Sequence, residues 1–246
     1  PLYFYTNQQE FTFASDMKTL LAANRFKPTI NKEGLWNAFS LRMAPRPQTA
    51  IQEISSVKPG TTLTINLSTG KVIEEKYWEL PLYSSNFITD ERTAVQLLEE
   101  ALHKSIQYRL NADVDVATYL SGGVDSPTIS AIAKQYHDNI QAFTLALQDQ
   151  PIDEIEKLNA IKVAKQHNIQ QHIIFIQPEE VLKYIPDMVE CYEEPHVSLS
   201  PQYLVSKKVH EHGIKVILSG LGGDELFGGY DMYKNLKYWY FLKHII

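Results

Sequence analysis

Cysteine is almost absent from this sequence of 246 residues, which contains only Cys191. A single cysteine excludes an internal disulfide and a cysteine-rich metal site, so a reducing, cytoplasmic setting is expected. Long apolar runs are missing as well, because none approaches the roughly 18 residues that cross a bilayer. No signal-peptide pattern opens the chain. We therefore expect no association with membranes.

Basic residues are not in excess either. The chain has 23 Lys and Arg against 29 Asp and Glu, giving a formal net charge of −6. This balance argues against a nucleic-acid binder that uses a broad basic face. It leaves room for an anion that binds at one local site. The length accommodates one large domain or two smaller ones.

The first third of the chain is rich in strand signals. Aromatic runs alternate there with polar turns, as they do in hairpins. Asp16 begins a short helical pattern, and Asn31 can cap a second helix. A stretch of small polar residues at 79–89 suits a linker. The sequence thus predicts an antiparallel, β-rich domain over residues 1–80 and a second domain over residues 81–246.

After the linker, strands and helices alternate. Apolar runs of strand length occur at 114–120, 142–147, 172–176 and 216–218. Helical patterns precede, separate or follow them, beginning at Thr89 or Asp90, at Pro127, at Glu154, at Pro178 (ending near Tyr192) and at Pro201. This alternation implies βαβ units and a parallel sheet. The predicted fold class is α/β, a parallel sheet with flanking helices, preceded by the small β-rich piece.

The first motif, which we call the first corner, covers residues 120–126 and reads LSGGVDS. It leaves a predicted strand and opens a predicted helix, whose N-terminus favours anions. Gly122 and Gly123 let the backbone approach a phosphate, and Ser121 and Ser126 add hydroxyl donors. Asp125 suits Mg²⁺, which takes oxygen ligands from carboxylates, phosphates and water. The alternative is a glycine turn in which Asp125 is only a helix cap.

The second motif, the second corner, covers residues 219–230 and reads SGLGGDELFGGY. It follows the strand that is predicted to end at Leu218. Ligands in α/β sheets bind beyond the carboxyl ends of the strands. Asp125 and Asp224 are therefore predicted to hold one metal–pyrophosphate group from two sides. The alternative is a turn with solvated acids.

Together the two corners, the strand with FTLAL at 143–147 and EEP at 193–195 resemble the asparagine synthetase family. The first corner is similar to the signature of PP-loop ATP pyrophosphatases. PLYFY at the start and FASDMKTLL at 13–21 resemble the end of a class II glutamine amidotransferase domain. The resemblance implies a PP-loop synthetase domain, similar to adenine nucleotide alpha hydrolases, after an incomplete Ntn-type glutaminase domain. It also implies that ATP and Mg²⁺ activate a carboxylate such as aspartate as an acyl-adenylate, which ammonia from glutamine converts to an amide.

The resemblance further implies which residues surround ATP. Those expected to bind it come from both corners and one strand: Leu120, Ser121, Gly122, Gly123, Asp125, Ser126, Leu145, Ser219 and Gly220. Leu120 and Leu145 would contact the nucleoside through backbone groups, and Asp125 and Asp224 would bind the metal. The expected partners are small molecules rather than nucleic acid or membrane, and a homodimer is compatible with the family.

Several features depart from the family pattern. Family glutaminases use an N-terminal cysteine, whereas this chain begins with Pro1, and Cys191 is interpreted as a buried core thiol. Leu221 stands where asparagine synthetases usually carry Glu, so the amide product stays open. The chain also stops before the family's later helices, so a fragment is expected. Glu193 and Glu194 form either a charged turn or, with His196 and Ser198, part of an acceptor segment.

Two other functions stay open at this point. One is a different PP-loop enzyme, either another amidating enzyme or one that modifies tRNA or nucleotides. The other is a degenerate nucleotide-binding module without catalysis.

We expect this polypeptide not to hydrolyse glutamine, because it offers no terminal thiol with a free amine as its base. Glutamate formation from glutamine, followed in a coupled assay, checks this. Turnover above the rate of a heat-inactivated sample would contradict it.

Overall fold

The computed structural model describes residues 1–7, 9–81, 87–147, 151–195 and 202–234, with the backbone alone at 151–153 and 234. The chain divides into two compact units. The first comprises Pro1–Phe87 and Leu182–Ser200, and the second comprises Ile88–Val181 and Pro201–Ile246.

The first unit consists mainly of short antiparallel strands and helices. In chain order it begins with β1 (Tyr3–Thr6), β2 (Phe11–Ala14), α1 (Met17–Ala22), α2 (Lys32–Leu41), β3 (Ser55–Ser56), β4 (Thr61–Ile65) and β5 (Val72–Lys76). β1 pairs with β2 and β3, and β4 pairs with β5, all antiparallel. Asp16 and Asn31 cap α1 and α2 by accepting from the N–H groups of Thr19 and Gly34. The predicted hairpin and both helix starts are confirmed.

The second unit is built on a parallel sheet. Continuing along the chain, the elements are α3 (Glu91–Leu110), β6 (Val116–Tyr119), α4 (Asp125–Tyr136), β7 (Gln141–Leu147), α5 (Pro151–Gln166), β8 (Gln170–Ile176), α6 (Pro178–Lys183), α7 (Ile185–Tyr192, in the first unit), α8 (Gln202–Glu211), β9 (Val216–Leu218), α9 (Gly223–Phe227) and α10 (Asp231–Lys234). The strand order is β8-β7-β6-β9, with every pair parallel. The predicted α/β fold class is confirmed.

The order of the strands creates a reversal point. From β6 the chain proceeds to β7 and β8 on one side, whereas β9 returns to the other side of β6. A crevice at such a point, outside the carboxyl ends of the strands, is where doubly wound sheets bind ligands. Buried side chains from the strands and helices form the core beneath it: Ile106, Val116, Leu120, Ile132, Ala133, Ile140, Ala142, Ala160, Ala164, Ile169 and Leu218.

The structure corrects three local predictions. α4 begins at Asp125, two residues before the predicted start at Pro127. The single helix predicted from Pro178 to Tyr192 is two helices, because Pro186 lacks an N–H and its ring clashes with the preceding turn. Cys191 is exposed rather than buried, since the short α7 buries Met188 and leaves its last turn in solvent.

The acidic pair after α7 has a structural role in the first unit. The carboxylate of Glu193 accepts hydrogen bonds from the backbone N–H groups of Met17 and Lys18, both at 2.8 Å, and so adds a second cap to α1. Glu194 lies 3.4 Å from the guanidinium of Arg46. Burial raises the pKa of Glu194, and Arg46 partly offsets that rise. The pair is therefore more than a charged turn, and His196 and Ser198 lie outside the described residues.

Within the described part of the chain, no helix has the length and apolar character that crossing a membrane requires.

Two histidines, His172 of β8 and His212 just after α8, pack around Phe143 of β7. The ring of His172 stacks on that of Phe143, with centroids 4.9 Å apart, and meets the ring of His212 edge-on at 5.0 Å. Its Nε2 lies 2.8 Å from the side-chain oxygen of Gln141. Burial lowers the pKa of His172, and the neighbouring His212 lowers it further.

We expect this lowered pKa to make the second unit less stable in mild acid. The folded state holds His172 neutral below its ordinary pKa of 6.5. Its contribution is therefore complete above about pH 6.5 and is lost as the pH falls through the folded-state pKa. Urea denaturation at pH 5 to 8, followed by circular dichroism, should show a flatter pH dependence for His172→Gln than for the wild type.

The matched control is His210→Gln, which changes an exposed histidine of α8. It should leave the pH dependence as in the wild type. Equal flattening by both variants would remove His172 as the cause.

Candidate functional site

The two corners leave neighbouring strands. The first corner follows β6 and the second follows β9, and these strands pair in parallel from Val116–Val216 to Thr118–Leu218. Both corners therefore lie at the carboxyl edge of the sheet, on the two sides of the reversal point.

The backbone of the second corner closes directly on the first. A Cβ atom added at Gly220 would lie 2.8 Å from Cβ of Asp125 and 3.1 Å from the backbone nitrogen of Ser126. A Cβ atom at Gly223 would overlap the carboxylate of Asp125. At Gly220 the contact includes backbone atoms and favours glycine, whereas a side chain at Gly223 would displace the Asp125 carboxylate. The convergence that the sequence predicts is thus present, with Asp125 at the point of contact.

Two serine hydroxyls hold the first corner in shape. Oγ of Ser126 accepts from the N–H of Ser121 at 2.9 Å and lies 2.8 Å from Oγ of Ser121, which accepts from the N–H of Gly123 at 3.3 Å. The bond between the two hydroxyls uses one of their two hydrogens. One hydroxyl hydrogen therefore stays available to a ligand, where the sequence alone suggested two.

The corner leads into a helix start that no side chain caps. Val124 stands at the cap position of α4 and makes no side-chain capping bond. The first N–H groups of a helix have no partner within the helix, and they carry a partial positive charge. The N-terminus of the 12-residue α4 is accordingly suited to an anion.

The two leucines of the expected site differ in their backbone environment. Leu120 is buried, its N–H donates to the carbonyl of Phe143 at 2.9 Å, and its carbonyl accepts from Oγ1 of Thr144 at 2.7 Å. Leu145 lies two residues beyond Phe143, so its backbone groups point to the same side of β7, beyond the last paired residue of β6, Tyr119. Leu145 thus presents backbone groups beside the first corner, whereas those of Leu120 bond within the sheet.

The second corner is a tight turn with an apolar side chain at its tip. Ser219 is exposed and its Oγ accepts from the N–H of Leu221 at 3.1 Å. Gly222 has a φ of 95°, which favours glycine. Leu221 is 84 % exposed. Asp224, in the first turn of α9, places its carboxylate against the backbone of Gly229.

These oxygen donors fit magnesium. Asp125 and Asp224 belong to adjoining corners, and Mg²⁺ in nucleotide sites uses one or two carboxylates together with phosphate oxygens and water. Within the described ranges, no group of three or more His, Cys, Asp or Glu side chains is placed to hold a metal. The two carboxylates of Asp125 and Asp224 also differ from the cysteine and histidine ligands of a structural zinc site.

Comparison with known proteins shows the family. Residues 97–244 match the asparagine synthase family, and residues 1–78 match a glutamine amidotransferase domain family. The chain belongs to the asparagine synthase family.

Curated members of that family cover most of this chain. It is 32 % identical over 239 residues to asparagine synthetase [glutamine-hydrolyzing] 1 of Bacillus subtilis, covering 95 % of this chain and 36 % of that protein. It is 28 % identical over 242 residues to a putative asparagine synthetase 2 of Methanocaldococcus jannaschii, covering 96 % and 46 %. The chain therefore spans between a third and a half of these relatives' lengths.

Among solved structures, the NH3-dependent NAD synthetase of Campylobacter jejuni aligns with a TM-score of 0.37 and 21 % identity, covering 56 % of this chain and 62 % of that one. Similarity at this level supports no functional inference.

In this asparagine synthase family member, three contacts of the site were not predicted from the sequence. Gly223 meets the carboxylate of Asp125, and Gly122 faces the first turns of α5, where an added Cβ would lie 2.5 Å from Cα of Glu156. Thr144 donates a hydrogen bond to the carbonyl of Leu120, the first residue of the first corner. The double glycine at 222–223 was the available signal for the first of these. The other two depend on contacts between elements.

We expect Gly220→Ala to destabilise the second unit by about 1–3 kcal/mol, the usual range for overpacking, because the new methyl group meets the backbone of the first corner. Gly123→Ala is the matched control. Its added Cβ has only Ser121 Oγ within 4 Å, at 3.5 Å, so stability should change little or rise slightly. Urea denaturation measures both, and equal losses would contradict the proposed contact.

Proposed function

We propose that this chain binds ATP and Mg²⁺ between its two corners and carries the adenylating half of an ATP-dependent amidating ligase of the asparagine synthetase type. The observation that carries the proposal is the approach of Gly220 and Gly223 to Asp125. It brings one acid and the N-terminus of α4 together with the second corner at the reversal point of the sheet. The family match over residues 97–244 supports the same function.

Each part of the corner has a task in this proposal. The phosphates bind at the N-terminus of α4, whose first N–H groups have no partner within the helix, and beside Gly122 and Gly123, where the backbone carries no side chain. Asp125 and Asp224 are the residues that would hold magnesium, and the ion would supply positive charge to stabilise the pyrophosphate leaving group. Leu145 offers backbone groups to the nucleoside. Leu120 contributes by anchoring the corner.

The proposed reaction, which the family resemblance implies, has two steps. A carboxylate oxygen of the acid substrate attacks the α-phosphorus of ATP, and the bond to the bridging oxygen breaks to release pyrophosphate. An amine then attacks the acyl carbon, AMP leaves, and the amine loses a proton. The corner supplies alignment and charge stabilisation, which dominate phosphoryl and nucleotidyl transfer.

The acid and the amine are proposed as classes. The acid is a small carboxylate of the aspartate type, and the amine is ammonia delivered from glutamine by a glutaminase domain, the family that residues 1–78 match. Leu221 at the tip of the second corner can neither orient nor deprotonate an amine, because its side chain is apolar. We propose a domain boundary near residue 80, with residues 81–246 forming the synthetase part.

Asp125→Asn should weaken Mg²⁺-dependent ATP binding by at least about tenfold, because the amide keeps the shape of the carboxylate and loses its charge. Isothermal titration with ATP in magnesium and in EDTA measures the effect. Asp138→Asn is the control, since it removes an exposed acid beyond the other end of α4. Unchanged binding in Asp125→Asn would contradict the proposed metal site.

Pyrophosphate release separates the proposed ligase from a module that binds nucleotide without chemistry. The ligase releases pyrophosphate from ATP only when a suitable carboxylate is added, so a panel that includes aspartate identifies the acid. Tight ATP binding without release for any acid in the panel would favour the binding module.

A further inference from the structure

Three neighbouring strands are joined by side-chain hydrogen bonds immediately below the first corner. Nε2 of Gln171 in β8 donates to Oγ1 of Thr144 in β7 at 2.8 Å, and that hydroxyl lies 2.7 Å from the carbonyl oxygen of Leu120 at the end of β6. The amide nitrogen can only donate and the carbonyl can only accept. The threonine hydroxyl must therefore accept from Gln171 and donate to Leu120.

The peptide bond that receives this hydrogen bond is where the strand ends and the corner begins. Its carbonyl, from Leu120, is held by Thr144, and its N–H, from Ser121, donates to Oγ of Ser126 at 2.9 Å. The N–H of Leu120 donates in turn to Phe143. Hydroxyl groups on two different elements thus fix the plane of this one peptide from both of its polar ends.

Burial makes the threonine hydroxyl important to this arrangement. Thr144 and Leu120 are each 1 % exposed, so water does not replace a lost partner of the Leu120 carbonyl. The branched shape of threonine suits a strand, and valine would match that shape equally well. Strand packing therefore accounts for the side-chain shape at position 144, and the hydrogen bonds account for the hydroxyl.

Thr144 also lies next to the strand residue expected to meet the nucleoside. Leu145 follows it directly, with backbone groups that face the side of the first corner. One side chain thereby links the entry of the phosphate-binding corner to the strand beside it.

We propose that Thr144, oriented by Gln171, is a positioning residue for the nucleotide site: it sets the plane of the Leu120–Ser121 peptide and so aims the first corner before nucleotide binds. The proposal rests on the proposed function for its consequence in ATP binding. Its structural part, the aim of the corner in the free protein, stands without it.

The test compares three variants. Thr144→Val removes the hydroxyl and keeps the shape, and it should weaken ATP·Mg²⁺ binding by about tenfold in isothermal titration. Thr144→Ser restores the hydroxyl and should bind within about twofold of the wild type. Ser130→Ala is the matched control, because Oγ of Ser130 is equally buried and bonds to residues of β6, at 2.8 Å to Thr118 and 3.4 Å to the Tyr119 carbonyl, rather than to the Leu120–Ser121 peptide. It should lower the melting temperature and leave ATP affinity within about twofold.

A second readout needs no nucleotide. With selective ¹⁵N-glycine labelling, the amide resonances of Gly122 and Gly123 should move in Thr144→Val, return in Thr144→Ser and stay in place in Ser130→Ala. If Thr144→Val fails to fold, Gln171→Met removes only the orienting donor and should move the same resonances less. Thr144 would be only a structural residue if the glycine resonances did not move in Thr144→Val. The same conclusion would follow if the loss of ATP affinity were proportional to the loss of melting temperature in all variants. A wild type that binds no ATP would overturn the proposed function, and the resonances would still decide the proposal.

Discussion

The contact between the glycine backbone of the second corner and Asp125 is the constraint on which the rest of the site depends. A Cβ atom at Gly220 would collide with Cβ of Asp125 and the backbone of the first corner, and one at Gly223 would collide with the Asp125 carboxylate. In the proposed function, an acid beside phosphates is tolerated because a cation joins them, so the two corners would share one magnesium.

The sheet makes this approach possible. β6 and β9 are neighbours although about a hundred residues separate them in the chain, and their parallel register brings Thr118 opposite Leu218. Each corner then begins within a few residues of the same level. A strand between them, or antiparallel pairing, would send the corners to different places. The core under the strands, in which Leu120 and Leu218 are both buried, fixes that level from below.

The sequence predicted the frame of the second unit closely, for a physical reason. Parallel strands covered on both faces appear as short apolar runs, and all four were located. Local signals also located the start of a helix at Asp16 and the cap at Asn31. Two predictions were wrong around α7. Pro186 interrupts a stretch of helical periodicity, and the short helix α7 leaves Cys191 exposed. The motifs and the family resemblance identified the candidate site residues. They did not predict that the hydroxyls of Ser121 and Ser126 bond to one another. That bond depends on the conformation of the turn, which the residue types alone do not specify.

The second cap on α1 has a consequence for the order of events at the ribosome. Glu193, which accepts from Met17, is 176 residues further along the chain. The N-terminus of α1 therefore lacks this hydrogen-bond acceptor until Glu193 has been synthesised, after β6, β7 and β8. The nascent first unit emerges with that position unfilled, and it reaches its final form only when translation has passed α7. Because contacts between residues so far apart in sequence form slowly, the first unit completes its fold late. Until then, α1 has Asp16 as its N-terminal cap.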